Sequence, residues 1–249
     1  MMAAAPNLIS DLGRCETCPI RQRAICSYSS PAELVELDKA KFYRDYEPGQ
    51  EIVGEGEPTT SLGSLVSGVV ALHKSLEDGR RQVVGLLFAS DFIGRPFRPK
   101  APYEAVAVTP VKMCLFQRPA FEKLISESAA LQRRLLEMTL DELDAARDWL
   151  VLLGRKTARE RLASLLLILA RREAKLKGVD IASGIEVQIP LTRESIAEFL
   201  GLTIETVSRQ FTSLRRDGVI DLPDKRTFRI ADVETLQELA GEDDALDDF

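Results

Sequence analysis

Histidine is nearly absent: His73 is the only one in 249 residues. A single imidazole weighs against a catalytic histidine pair and against a haem held by two histidines. No run approaches the ~18 consecutive apolar residues that a membrane-spanning helix needs. The opening residues, MMAAAPNLIS, lack a basic stretch followed by an apolar one, so no secretory signal is expected and the chain is expected to be cytoplasmic. There is no Gly-rich phosphate loop opening a helix, no nucleophile elbow and no pair of catalytic carboxylates, so an enzyme is not expected. Disulfides between the four cysteines are disfavoured, because a chain with no export signal sits in a reducing compartment. An overall basic excess is missing too: 33 Lys and Arg stand against 39 Asp and Glu, a net charge of −6.

That negative total is unevenly spread. Glu242, Asp243, Asp244, Asp247 and Asp248 crowd the C-terminus, expected to be a solvated, disordered tail. Arg155 to Lys177, by contrast, holds eight basic residues against two acids, and local charge rather than the total attracts phosphate. The length allows two domains with a core in each, and a hydrophobic fraction of 45% is that of a globular protein.

The most informative stretch is Pro190 to Ile220. Thr192 is placed to cap a short helix whose apolar face is Ile196, Ala197, Phe199 and Leu200. Gly201 suits a tight turn, and Thr203 caps a second helix. On that helix Ile204, Val207, Phe211 and Leu214 form one stripe expected to be buried, while Glu205, Ser208, Arg209 and Thr212 form a polar stripe on another face. Asp217-Gly218 ends it. A small β-hairpin is expected from Asp221 to Ile230, with Lys225, Arg226 and Arg229 about its turn. This is the pattern of a winged helix-turn-helix. Its second helix would enter a major groove, where an arginine can bond guanine and a carboxylate can accept from cytosine. Glu205 and Arg209 are then expected to read adjacent base pairs and to brace each other at i, i+4.

Upstream, a short helix is expected from Pro31 to Lys39, with Leu34 and Leu37 inward. Eight of the fifteen glycines fall between Gly49 and Gly94, separating short alternating runs at 51–53, 64–66, 69–72 and 83–88; two more runs follow at 105–108 and 111–116. Glu77-Asp78-Gly79 is a hairpin signal, and so many short strands read as a sandwich or barrel. From Pro119 the period turns helical. A short helix spans 121–125 and a long one 131–153, with Leu136, Leu140, Leu143, Leu150 and Leu153 on one stripe. Such a stripe is often only core, but Asp141, Glu142, Asp144 and Asp148 on the remaining surface favour a seam paired with a second copy of the helix over an internal one. Gly154 to Thr157 is the expected hinge. A further helix runs from Thr157 to Lys177 with Leu162, Leu165, Leu166 and Leu169 inward.

Cys15, Cys18 and Cys26 are spaced C-x2-C-x7-C, and Cys114 stands alone at the end of the β region. A zinc site usually pairs two C-x-x-C knuckles; three clustered cysteines with a remote fourth suit an iron–sulfur cluster at least equally, so the spacing leaves both open. Arg14, Arg21 and Arg23 are expected to favour the thiolates. Cys114 becomes a ligand only if the N-terminal loop folds back over its strand face.

Together, the three N-terminal cysteines, the fourth late in the β region, the leucine-striped helix and the string Glu205-Thr206-Val207-Ser208-Arg209 resemble the oxygen-responsive FNR type within the CRP/FNR superfamily. The family's better-known spacing is C-x2-C-x5-C, two residues shorter before the third cysteine. The resemblance implies an α+β fold: an N-terminal β-roll (a jelly roll of the cyclic-nucleotide-binding type), a long dimerisation helix and a C-terminal winged helix-turn-helix. The corresponding segments are a cysteine-rich leader over 1–30, the sensory β-roll over 31–118, the helical linker over 119–154, and the DNA-binding domain with its acidic tail over 155–249. It also implies one [4Fe-4S] cluster per subunit on Cys15, Cys18, Cys26 and Cys114, lost to oxygen, and a homodimer that binds TTGAT…ATCAA-like sites when the cluster is intact. Glu205, Ser208 and Arg209 would contact bases, with Thr192, Thr203 and Thr212 at the same DNA surface. RNA polymerase would be met near Asp78, Gly79 and Arg80. A structural zinc, or a small effector in the β-roll, is the alternative. Cyclic nucleotide is disfavoured because Ile93-Gly94-Arg95-Pro96-Phe97-Arg98-Pro99 replaces the phosphate-gripping cassette, and Pro96 and Pro99 each remove a backbone donor.

Overall fold

The structure, a computed structural model, describes residues 15–241. The expected tail at Glu242–Asp248 and Arg14 lie outside the described residues. Two compact units emerge. One runs to His73 and takes in Leu86–Leu140; the other joins Lys74–Gly85 to Asp141 onward.

In the first unit, helix α1 (Pro31–Ala40) begins at a capping box in which Ser30 and Glu33 each satisfy the other's backbone N–H. Leu34 and Leu37 are buried, as expected. Eight strands follow along the chain, the end of β4 and most of β5 falling in the second unit's Lys74–Gly85: β1 (Lys41–Tyr46), β2 (Glu51–Val53), β3 (Ser61–Ser67), β4 (Val70–Ser75), β5 (Arg81–Leu87), β6 (Phe92–Ile93), β7 (Glu104–Ala107) and β8 (Val111–Gln117). They form two sheets ordered β1-β8-β3-β6 and β2-β7-β4-β5. Leu65, Val70, Leu72, Ala105, Met113 and Leu115 build the roll's interior.

Alternation along β8 decides what lies outside. Met113 and Leu115 point into the roll, so Cys114 and Phe116 must point to the other face. Helix α2 (Arg118–Glu127) and the start of α3 (Ala129–Arg155) cover that face through Phe121, Ile125 and Leu131. Further along α3, Leu136, Leu140, Leu143 and Leu150 are 45–71% exposed. Four of the five expected stripe positions are therefore uncovered, whereas Leu153 is half-buried, its end near the Gly201 turn. The helix runs through Gly154 to Arg155, and the break falls at Lys156–Thr157, the second half of the expected hinge.

In the second unit, Thr157 caps helix α4 (Ala158–Lys177) with Glu160 as its box partner, and Leu162, Leu165, Leu166 and Leu169 are buried. Strand β9 (Glu186–Gln188) leads into α5 (Arg193–Leu200) and α6 (Ile204–Arg216). The expected hairpin is β10 (Ile220–Asp221) and β11 (Thr227–Ile230), and β9 adds a third strand beside β11. Helix α7 (Val233–Ala240) closes the unit; its last carbonyl, Ala240 O, accepts from Lys156 Nζ. Among the described residues no helix is long and apolar enough to cross a membrane.

Candidate cysteine centre and nucleic-acid interface

The leader does fold back over β8. Cys15 opens a short 3-10 turn whose Cys18 N–H bonds Cys15 O at 3.4 Å. The chain then winds through Ile20 and Ala24, both buried, to Cys26. Arg21 closes the loop on itself, donating to Ser27 O at 2.8 Å and Ser29 O at 3.2 Å. Cys15, Cys26 and Cys114 share one apolar cluster with Leu37, Leu62 and Phe121. Cys18, Cys26 and Cys114 share a second with Ile20, Ala24 and Val66. All four thiols are free.

Cys114 is held from both sides, opposite Tyr43 of β1 and Ser64 of β3. Gly63 makes the close approach possible: a Cβ there would lie 2.0 Å from Cys114 O. Asp38 accepts the Cys15 N–H at 2.8 Å and also the ammonium of Lys41, whose side chain is only 6% exposed. A buried cation beside Cys15 and Cys114 suits sulfurs that must carry negative charge. Sequence reasoning missed Lys41 and Asp38; the one signal was their position flanking the entry to the first strand.

The arginines do not set the thiol protonation as expected. Burial pushes Cys15 up to about 12, aided by its hydrogen bond to Asp38. Burial, then repulsion from Cys15, Cys18 and Cys26, pushes Cys114 up to about 12. Cys26 is also raised by burial, against the opposing pull of Arg21. Desolvation outweighs the nearby charge. Such thiols release their protons on binding a metal. Among the described residues no group of three or more His, Cys, Asp or Glu side chains is drawn tightly enough to hold a single ion. A four-iron cluster gives each thiolate its own metal and so takes donors set wider apart than those of one zinc ion. Four free sulfurs on one apolar patch, with a buried cation beside them, are a donor set whose chemistry suits thiolate ligation.

In the second unit the expected caps form. Thr192 accepts from Ser195 N at 3.1 Å and Thr203 from Thr206 N at 3.2 Å. Gly201 takes φ +61°, the left-handed turn between α5 and α6. Val207, Phe211 and Leu214 are buried, but Ile204 is 45% exposed. Its place in the first turn leaves it beyond the reach of the core. Glu205, Ser208, Arg209 and Thr212 are all exposed on one face of α6. The expected Glu205–Arg209 brace does not form; Arg209 Nη2 donates to Thr206 Oγ1 at 3.1 Å instead. Glu205 is held below the usual carboxylate range by its own backbone N–H first, then by Thr203, with Arg209 contributing least.

The basic stretch of α4 is largely engaged within the unit. Arg159 Nη1 donates to Ser213 Oγ at 2.8 Å and Asp217 Oδ2 at 2.6 Å, tying α4 to the end of α6. Arg161 donates to Leu200 O at 2.9 Å and Leu153 O at 2.7 Å. Arg193, also missed, lies 3.3 Å over the Phe211 ring and sets α5 against α6. These guanidiniums build the platform that presents α6.

In the first unit, the Gly94–Pro99 turn is closed to an anion by an acid. Glu122 accepts the Phe97 N–H at 2.7 Å, and Arg118 bonds both Glu122 and Arg95 O. The adjoining cavity is about 140 Å³ and is lined by Glu51 and Glu57 as well as Arg44 and Arg95.

A capped helix pair with a three-stranded wing, in a chain with a β-roll, defines a DNA-binding regulator. Residues 160–239 match the family described as Crp-like helix-turn-helix domain, and residues 43–128 match the cyclic nucleotide-binding domain. The chain is 50% identical over 232 residues to the transcriptional activator protein FnrL of Cereibacter sphaeroides, covering 93% of this chain and 94% of that one. It is 40% identical over 206 residues to the nitrogen fixation regulation protein FixK of Bradyrhizobium diazoefficiens, covering 83% and 85%. The solved structure of FixK2 from Bradyrhizobium japonicum superposes with a TM-score of 0.73 at 32% identity, covering 82% of this chain and 98% of that one. The chain belongs to the CRP/FNR family and is a DNA-binding transcriptional activator of that type.

Proposed function

We propose that this activator responds to oxygen through a [4Fe-4S] cluster held by Cys15, Cys18, Cys26 and Cys114. One observation carries the reading: the leader's three cysteines lie against the single strand face that bears Cys114. Bound there, the cluster supplies a centre that oxygen destroys. The chain's own residues do the rest. Lys41 offsets thiolate charge, Asp38 fixes the Cys15 backbone, and Arg21 holds the loop closed. The exposed seam Leu136, Leu140, Leu143 and Leu150 pairs two copies, which sets two α6 helices at the spacing of a pseudo-palindromic site such as TTGAT…ATCAA. Glu205, Ser208 and Arg209 read base edges, and Thr192, Thr203 and Thr212 bond at the groove's margin. The turn at Asp78–Arg80, ordered by an Arg80–Asp78 bond of 2.8 Å, faces RNA polymerase.

Anaerobic purification followed by an absorption spectrum and an iron and sulfide assay tests this. The expected product is brown, with about four irons and four sulfides per chain, and bleaches in air. A colourless protein with one zinc per chain overturns it.

A further inference from the structure

We infer that Arg134 is the positioning residue through which the cysteine loop sets the geometry of the α3 seam. This rests on the function proposed above. Arg134 Nη2 donates to Arg23 O at 2.6 Å. Arg23 lies in the seven residues between Cys18 and Cys26. That stretch is turned by bonds from Arg23 N and Ala24 N to Ile20 O at 3.0 and 2.9 Å. The direction of the Arg23 carbonyl is therefore fixed by the fold of the loop itself.

The same guanidinium lies 5.9 Å from the centroid of the Tyr28 ring, two residues beyond Cys26. Arg134 thus touches the loop on both sides of its third cysteine. Its side chain is 18% exposed, against 73% for the adjacent Arg133, which meets the same ring at 5.3 Å but has no bond to the loop backbone. Arg134 Nε is buried without a partner among the described residues. A guanidinium so enclosed depends on the few acceptors it has, and a shift of the Arg23 carbonyl removes its shortest bond.

On the helix side, Arg134 Nη1 is 3.5 Å from Glu137 Oε2, and Arg133 Nε is 3.0 Å from Glu137 Oε1. Leu136 and Leu140, two steps of the exposed seam, bracket Glu137 in the chain. A loop that opens frees Arg134 to swing onto Glu137, and the turn carrying Leu136 changes its side-chain order. Loop and seam are thereby joined by one residue that ligates nothing and touches no DNA. The contact is legible only in three dimensions, because donor and acceptor are 111 residues apart.

The experiment compares wild type, R134Q, R134K and R133Q as full chains, prepared without oxygen. Cluster content comes from iron, sulfide and the visible spectrum. The dimer dissociation constant comes from sedimentation equilibrium, before and after cluster loss. Wild type is expected to pair about 5–150-fold more tightly with the cluster, the ordinary range of coupling between two sites. R134Q should carry the same cluster and melt at the same temperature, yet its two constants should agree within about 3-fold. R134K should recover part of the difference, and R133Q should keep all of it. An R134Q ratio equal to the wild-type ratio overturns the inference, and so does an R134Q chain that takes up no cluster, because Arg134 would then hold the centre rather than report it. A wild type whose pairing ignores the cluster overturns the function proposed above together with this inference.

Discussion

Trp149, near the end of α3, stacks on Phe199 of α5 with ring centroids 3.9 Å apart and planes 24° apart. Gln82 donates to Phe199 O at 3.1 Å, and Arg161 bonds the neighbouring Leu200 O, so three segments of the second unit converge on one helix end. Phe199→Ala should cost about 3–5 kcal/mol, the range for an aromatic removed from a core. Trp149 is the only tryptophan, so its fluorescence in a urea titration follows this unit. The midpoint should fall for Phe199→Ala; an unchanged midpoint would show that the stack does not hold the helix pair.

Gly63 packs against the backbone that presents Cys114. Gly63→Ala puts a methyl 2.0 Å from Cys114 O and 2.8 Å from Leu115 Cα, so β3 and β8 must part. Overpacking of this kind costs about 1–3 kcal/mol. In cluster-free protein the variant should lose stability by that amount, and Cys114 should react faster with a thiol reagent.

Arg159 and Arg209 separate scaffold from recognition. Arg159→Gln breaks the tie to Ser213 and Asp217, so it should lower stability and leave the salt dependence of DNA binding unaltered. Arg209→Gln should leave stability alone but weaken specific binding by about 1–3 kcal/mol and relax selectivity at one base pair. Binding titrations on single-base operator variants distinguish the two.

Leu140→Asp should yield monomers, with the stability of the single chain unchanged and only the stabilisation that pairing adds lost. The side chain is 50% exposed in the single chain, and substitutions at such surfaces stay within about ±0.5 kcal/mol. Sedimentation with the cluster intact gives the answer, and dimers as tight as wild type would place the seam elsewhere.

What was legible in the sequence was local. Thr192, Thr203 and Gly201 declare their helix ends because caps and left-handed turns depend on the residue itself. Val207, Phe211 and Leu214 declare a face because burial repeats with the helix. Strand β1 did not declare itself: Lys41 to Tyr46 mixes charge and aromatics and becomes a strand only beside β8. Strand β6 has two residues and β9 has three, too short to show a period. Part of the α4 charge has a role within the fold that the letters do not show, for a related reason. Arg159 and Arg161 look like phosphate binders in a row of letters, but their acceptors lie at Asp217 and Leu200. The cysteine loop's place over Cys114 depends equally on distant pairing, and the thiol protonation followed burial that no spacing reveals.

The most direct test of the account is operator occupancy by the Cys114→Ser protein in the absence of oxygen, read beside its visible spectrum. Cys114 sits in the middle of a four-stranded sheet, and serine there leaves the backbone pairing intact. The account predicts a folded chain that binds no cluster, remains monomeric and leaves the operator empty at concentrations where wild type fills it. Occupancy equal to wild type, with or without a spectrum, would contradict it.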